Sequence, residues 1–450
     1  MRKSLIAILC LGASAQIYAL TLSEYSEKLT QEHPFYSQLS LSEEANQLTH
    51  QTSQLIYGWN AQLNVTDNYS SVNGLNNARV ELSTQKAIEE TGGNLSIKHS
   101  WNDNGLAEPT NLTSVTYSQP FLQNQGGINT SLSADLANID LESKKLSLIE
   151  QSENFLASKS KKFIDLALAQ EKVAIVSKNL KLSEQQFNIA TEKYAQSILS
   201  ESSLLQEQDN YIRAKQQFLQ AEQDLDSMQK ELALWAGINP QMMIAEFDVF
   251  QEQSTLNTDT LKLVSNSRTI QQFNFDREKL QRQLMSNQNK LEPSLNLNIG
   301  LTSQGSGSGY FDSFSNQSTS FEVGVNFTYA FGNTREQLDI ERTKNSLAQL
   351  DSRRRESEIN LAQQINAQIS RIDLLQELTQ ISLELSLLAN DKAAEAQKQY
   401  NNAKSQKTNV IAAQKSANTA KLSYVQAATS LQKAIIDYLS LSDQLINTRN

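Results

Sequence analysis

The chain is nearly without cysteine: Cys10 is the only one in 450 residues. Past that point no disulfide framework, thiol nucleophile or cysteine-held metal is available. Histidine is almost as scarce. His33, His50 and His99 are the three, placed by their surroundings on a helix, a helix and a loop, and they form no ligating cluster, so neither metal nor cofactor is expected. No nucleophile elbow or paired-carboxylate pattern stands out, and "GSGSG" at 305–309 lacks the Lys-Ser/Thr of a phosphate loop, reading instead as an external loop. An enzyme is therefore not expected. No apolar run reaches the length of a membrane helix, which leaves strands as the only route across a bilayer. The net charge of -10 argues against nucleic acid as a partner. The basic triplet in "DSRRRESE" (351–358) reads as a solvated helix face.

Glycine and proline are absent from long stretches. None of the 15 glycines and five prolines lies in 128–236 or 333–450. These residues break helices, so their absence predicts long uninterrupted ones. Ile139, Leu146, Ile149, Leu156, Phe163, Leu166, Val173, Val176, Leu180, Phe187, Ala190 and Tyr194 follow at steps of three, four or seven, a stripe on one helical face. A helix over about 130–196 would run roughly 100 Å. "AQSILSES" (195–202) interrupts it, and Leu204, Tyr211, Phe218, Leu225 and Leu232 resume at intervals of seven. A shift of 206 positions places Val410, Ala417, Tyr424, Leu431 and Tyr438 on the same register, with Gln208/Gln414, Ala214/Ala420 and Lys215/Lys421 identical. The pattern predicts an internal duplication, each copy a hairpin of two long helices with alanines at the seam.

Residues 1–19, "MRKSLIAILCLGASAQIYA", join a basic start to an apolar run and a small residue at the end, and read as a secretory leader cleaved after Ala19 or Ala15. Between the helical blocks the period changes to two. Trp59, Ala61, Leu63 and Val65 alternate with polar residues, as do Leu295, Leu297, Ile299 and Leu301, and Phe321, Val323, Val325, Phe327, Tyr329 and Phe331. Strands apolar on one face and polar on the other fit a transmembrane barrel. Four strands are expected in two pairs, 59–70 with 111–121 and 294–302 with 320–331, with Leu63, Val65, Leu297, Ile299, Val323, Val325 and Phe327 facing lipid. Trp59, Tyr69, Trp101, Tyr117 and Tyr329 suit the headgroup belts. Residues 79–101 contain two weaker alternations around Gly92 and Gly93, and whether they form an extra hairpin is left open.

"SQPFLQNQGG" (118–127), "EKYAQSILSESSLLQEQDNYIRAKQQFLQAEQDL" and "KQYNNAKSQKTNVIAAQKSANTAKLSYVQAATSL" resemble the strand-to-helix junction and tip-forming hairpins of the TolC family of outer-membrane efflux and secretion channels. "LTLSEYSEKLTQEHPFY" (20–36) is similar to the family's N-terminal helix opening. The resemblance implies an α+β membrane protein: a homotrimer sharing a 12-stranded barrel, four strands per protomer, continued by a helical periplasmic tunnel. It divides the chain into a first repeat at 20–236, an equatorial linker at 237–258 and a second repeat at 259–450. It further implies passive exit of small molecules or unfolded protein, in a tripartite efflux pump or a type I secretion system of a Gram-negative bacterium, with a periplasmic adaptor, an inner-membrane pump and outer-membrane lipid as partners. The tips that would meet the adaptor and constrict the duct correspond to Tyr194, Ser197, Glu201 and Ser203 in the first hairpin. In the second they correspond to Tyr400, Ala403, Lys404, Ser405, Lys407 and Asn409. Gly, Arg and Asp are common at the second tip in the family; here Ala403, Ser405 and Asn409 stand instead, which removes the expected aspartate ring. The alternative reading is a periplasmic coiled-coil adaptor or scaffold without a pore.

Overall fold

The computed structural model describes residues 18–70, 75–240, 243–251, 257–315, 317–332 and 334–446. Most of the leader, parts of the 237–258 linker, Asn333 and the last four residues lie outside them. Contacts divide the chain into two compact units, one made of the segments up to Ser40, Ile149–Ser267 and from Ile359, the other of Leu41–Leu148 and Arg268–Glu358.

The first unit is mainly helical. It begins with β1 (Tyr18–Leu20), α1 (Leu22–Glu32) and the start of α2 (Pro34–Gln54). Thr21 caps α1 reciprocally: its hydroxyl accepts the Glu24 N–H at 3.2 Å and the Glu24 carboxylate accepts the Thr21 N–H at 2.9 Å. Those bonds hold the Glu24 carboxyl below its usual range. Later in the chain come the C-terminal part of α3 (Leu132–Ala195), α4 (Glu201–Trp235), β6 (Met243–Ala245), α5 (Thr260–Asn266), the C-terminal part of α7 (Thr334–Asn401) and α8 (Lys407–Leu441). The long helices all lie inside the two stretches without Gly or Pro, α4 ending and α7 starting within a residue or two of their limits.

Their stripe does what its spacing predicts. Phe163, Leu166, Leu232 and Val425 are fully buried around Tyr25 and Leu29, and Tyr25 stacks on Phe163 with centroids 5.0 Å apart, worth about 0.5–1.5 kcal/mol beyond area burial. Ala214, Ala221 and Ala417 are buried at helix seams. Between the hairpins Lys161 pairs with Asp437 at 2.5 Å and Lys433 with Asp165 at 2.9 Å. The linker is more than a connection. Its β6 pairs in parallel with β1, Leu20 opposite Ala245, and Met243 and Val249 enter the same core.

The second unit holds one antiparallel sheet of six strands: β2 (Asn60–Ser70), β3 (Leu75–Ala87), β4 (Asn94–Asp103), β5 (Thr110–Pro120), β7 (Ser294–Ser306) and β8 (Gln317–Thr328), in that order across the sheet. Two expectations are corrected. Six strands replace four, because the weak alternations at 79–101 do pair, Leu82 facing His99 and Thr84 facing Ile97. The strands expected as a first pair, 59–70 and 111–121, are therefore not neighbours; β5 bonds β4 and β7 instead. His99 consequently lies on a strand, not in a loop. β8 ends at Thr328, so Tyr329 and Phe331 fall beyond it, while β7 runs on to Ser306 and absorbs the start of the "GSGSG" segment.

The strand-to-helix junction is locked by polar groups. Asn124, Gly126 and Gly127 take left-handed backbone angles, which turns the chain at "QNQGG". Arg282 of α6 (Arg268–Asn289) then donates to Asp135 at 2.7 Å, to Ser131 at 3.0 Å and to the Ile128 carbonyl. Asn289 accepts the Asn124 N–H at 2.6 Å and the Asn129 amide at 2.8 Å. The β3–β4 turn is seated here too: Gly92 has φ +69°, and a Cβ on it would stand 2.4 Å from the Gly127 nitrogen. Gly332 has φ +78° with nothing within 4 Å of a Cβ. Gly332→Ala should therefore cost only the left-handed penalty, about 1 kcal/mol. Gly92→Ala, facing backbone that cannot retreat, should cost well beyond that in the urea midpoint of the detergent-solubilised protein. Equal losses would contradict the close contact.

Candidate pore wall and hairpin tips

Residues directly opposite in an antiparallel sheet share a face, so the register sorts every side chain. One face carries Leu63 and Val65 of β2, Val80 and Leu82 of β3, Leu95, Ile97 and Trp101 of β4, Val115 and Tyr117 of β5, Leu295 to Leu301 in alternation on β7, and Phe321, Val323, Val325 and Phe327 of β8. All seven residues expected to face lipid are on it. Among the described strand residues this face holds three charges, Lys86 at the helix-proximal end and Asp67 and Asp103 at the distal end. The opposite face is mainly polar: Asn60, Gln62, Asn64, Thr66 and Asn68 on β2, and Asn296, Asn298, Thr302, Glu322 and Asn326 on the last two strands, with Leu112 among the exceptions. On this face Glu81 pairs with Lys98 at 3.1 Å and also with Arg79. Leu63, Val65, Phe321, Val325 and Phe327 are each more than 60% exposed, an apolar surface far too continuous for water.

The apolar band is slanted. From Leu63 the hydrogen-bonded row runs through Leu82, His99, Thr113 and Ser303 to Thr319, yet the apolar residues of β8 centre on Gly324, five positions nearer the helices. A drift of about one residue per strand, at ~3.3 Å rise and ~4.8 Å spacing, corresponds to strands tilted by about 35° from the normal to the band.

The tips occupy equivalent places in two hairpins. Ser197 (φ +56°) and Ala403 (φ +57°) are both left-handed and close the same capping motif. The Ser197 and Ile198 N–H groups donate to the Tyr194 and Lys193 carbonyls, and those of Ala403 and Lys404 to Tyr400 and Gln399. Ser200 starts α4 by accepting the Ser203 N–H at 3.3 Å. Tyr194, Ser197, Glu201, Ser203, Tyr400, Ala403, Lys404 and Asn409 are exposed, while Ser405 and Lys407 are half-buried, Lys407 lying 5.3 Å from the Tyr400 ring centroid. Farther along the helices, Gln186 of α3 bridges Glu207 of α4 at 2.9 Å and Lys415 of α8 at 3.2 Å. Burial holds the Lys415 ammonium below its usual range, with Glu207 acting against the shift. In the same unit Glu150, Glu153 and Asp443 bring carboxylate oxygens within 4.8 Å of one another, and Glu153 accepts the Leu445 N–H at 2.8 Å, tying down the C-terminal turn.

Two features were not anticipated. Leu205, Ile212 and Leu219 of α4, with Ile198 in the turn before it, are seven apart and 54–69% exposed. On α7, Leu374, Leu378, Ile381, Leu385 and Leu388, at alternating steps of four and three, are 44–57% exposed. Both have the spacing of a coiled-coil seam and stand exposed among the described residues. Their spacing was visible in the sequence, but the neighbouring buried stripe on α4, one residue out of phase, hides it.

Residues 262–437 match the family model described as outer membrane efflux protein. The fold agrees along nearly the whole length. VceC, an outer membrane protein of Vibrio cholerae, is 14% identical with a TM-score of 0.66, covering 93% of this chain and 96% of its own. The CmeC outer membrane channel of Campylobacter jejuni is 10% identical with a TM-score of 0.70 (95% and 87%), and the MtrE outer membrane channel of Neisseria gonorrhoeae, in its open state, is 10% identical with a TM-score of 0.70 (94% and 89%). No curated protein sequence matches the chain. Among the described residues no helix is long and apolar enough to cross a membrane.

Two substitutions test the faces. Val325→Arg should cost roughly 2–4 kcal/mol in the urea midpoint of folding into phosphatidylcholine vesicles, and Asn326→Arg little, if the two faces meet lipid and water respectively; equal costs would contradict the assignment. At the tips, Ala403→Gly should raise stability by about 1 kcal/mol by removing the left-handed penalty, read as a later denaturation midpoint.

Proposed function

We propose that the protein is a homotrimeric outer-membrane channel giving passive exit to small molecules or unfolded protein, in a tripartite efflux pump or a type I secretion system. One observation carries this reading: a single sheet with an uncharged apolar band on one face, a polar face behind it, and a band inclined as barrel strands incline, about 35–45°. The efflux-family match supports it. A soluble coiled-coil adaptor without a pore has no use for such a band.

Among the described residues each chain presents two unlike unpaired sheet edges, β2 and β8, and two unlike exposed apolar helix stripes, on α4 and α7. Unlike surfaces that pair between copies close into a ring. With three copies, the number the family resemblance implies, the wall would contain 18 strands, not the 12 expected from four per chain. At ~4.8 Å spacing and ~35° tilt, 18 strands give a backbone diameter of about 34 Å against about 23 Å for 12. The polar face would line the duct, the helical hairpins would stand in the periplasm, and Tyr194 to Ser203 with Tyr400 to Asn409 would meet the adaptor and form the constriction. The matching hairpins, 35 residues in α4 and 35 in α8, support descent from a duplicated unit.

The leader would end at Ala15. Cleavage after Ala19 would remove Tyr18 and Ala19, two of the three β1 residues paired with β6, whereas cleavage after Ala15 leaves the strand intact. Intact mass of the exported protein should place the first residue at Gln16; a start at Leu20 would overturn this.

The purified protein should conduct ions in planar bilayers and run as a trimer in native mass spectrometry. Ile212→Asp and Ile381→Asp should shift it toward monomer with helix content kept. Absence of conductance under all conditions would favour the scaffold.

A further inference from the structure

The segment after β7 does not project from the sheet. Residues 307–315 fold back over the distal end of its apolar face. The Tyr310 hydroxyl hydrogen-bonds His99 Nε2 at 3.1 Å, and the Phe314 ring stacks on the His99 imidazole, 15° from parallel with centroids 5.7 Å apart. Asn111, fully buried, donates to Ser313 Oγ at 2.8 Å. Gly307 N–H donates to the Pro109 carbonyl at 3.1 Å. The contact is so close that a Cβ on Gly305 would stand 2.0 Å from the Ser313 carbonyl oxygen.

What the strap covers explains it. Because the apolar band slants toward the helices across β4, β5 and β7, the distal residues of this face there include His99, Thr113, Asn111 and Ser303, polar groups that hydrocarbon would leave unsatisfied. The strap hydrogen-bonds or shields this end of the face and presents aromatics in its place, with Phe311 86% exposed and Phe314 and Tyr310 about 40%. Its sequence, "GSGYFDSFS", contains no Lys or Arg, and its one acid, Asp312, is occupied by the Ser308 hydroxyl at 2.6 Å. That composition suits an uncharged acyl–headgroup boundary and offers nothing to attract phosphate.

We propose that residues 307–315 form a membrane-interface anchor, docked on the lipid side of the barrel with Phe311, Phe314 and Tyr310 inserted at the boundary between headgroups and acyl chains of the outer leaflet. The partner surface is a lipid bilayer, bound through apolar contact and aromatic amphipathicity. This rests on the barrel reading given above.

The absence of cysteine after Cys10 permits single labels. Phe311→Cys, Val323→Cys and Asn326→Cys, each carrying an environment-sensitive fluorophore, are reconstituted into phosphatidylcholine vesicles with nitroxides either at the headgroup or deep in the acyl chain. Val323→Cys should be quenched by the deep nitroxide and Asn326→Cys by aqueous iodide alone. Phe311→Cys should be quenched by the headgroup nitroxide and lose iodide quenching on reconstitution. Adding Gly305→Val, which displaces the strap, should restore iodide quenching at 311. Iodide quenching at 311 with a lipid-quenched 323 overturns the anchor and leaves the barrel standing. A 323 label insensitive to both nitroxides overturns the barrel itself.

Discussion

A backbone N–H or C=O in hydrocarbon has no water to turn to, and an unpaired one costs several kcal/mol. The sheet of this protein satisfies that requirement at every interior strand and leaves it open at β2 and β8. Placed in a bilayer, such a sheet is complete only when its edges meet other copies. The same incompleteness recurs in the helical unit, where the stripes on α4 and α7 stand exposed among the described residues. In the proposed assembly neither unit finishes inside one chain, which couples formation of the membrane part to formation of the periplasmic part.

The extra β3–β4 hairpin is the principal departure from the expected architecture, and the junction shows how it is accommodated. Its turn sits on Gly127, the residue where the chain leaves the sheet for α3, so the hairpin is fastened to the segment that must bear the strand-to-helix transition. Gly92 and Gly127 allow backbones to approach where any side chain would collide. The hairpin also divides its two faces as its neighbours do, with Arg79, Glu81 and Lys98 on the polar one and Val80, Leu82 and Ile97 on the apolar one.

Much of this was legible in residue order because helix breakers are so unevenly distributed. The boundaries of α3 and α4 and the start of α7 follow from where Gly and Pro stop and from the serines at the first tip, and the break between α7 and α8 from the 206-residue offset. The strong alternation of Phe321 to Phe327 marked β8 and its faces for the same reason: period two is unambiguous when bulky apolar residues alternate with Asn, Gly and Glu. β3 and β4 were harder. Lys86 and His99 stand at positions where the alternation calls for apolar residues, and only pairing explains them, Lys86 lying at the end of the face near the Trp59 ring and His99 lying under the strap. Tip positions were located by the 206-residue offset, but that Ser197 and Ala403 adopt left-handed angles usually left to glycine is a matter of backbone closure. The strap was invisible because "SGSGYFDSF" reads as a loop by composition; its contacts span the chain from Asn111 to Ser313.

The parallel pairing of β1 with β6 bears on how the polypeptide is delivered. Leu20 finds its strand partner at Ala245, more than two hundred residues later. In the exported protein proposed above, the N-terminal segment would emerge long before its strand partner, and the helical core could close only after the midpoint of the chain had crossed.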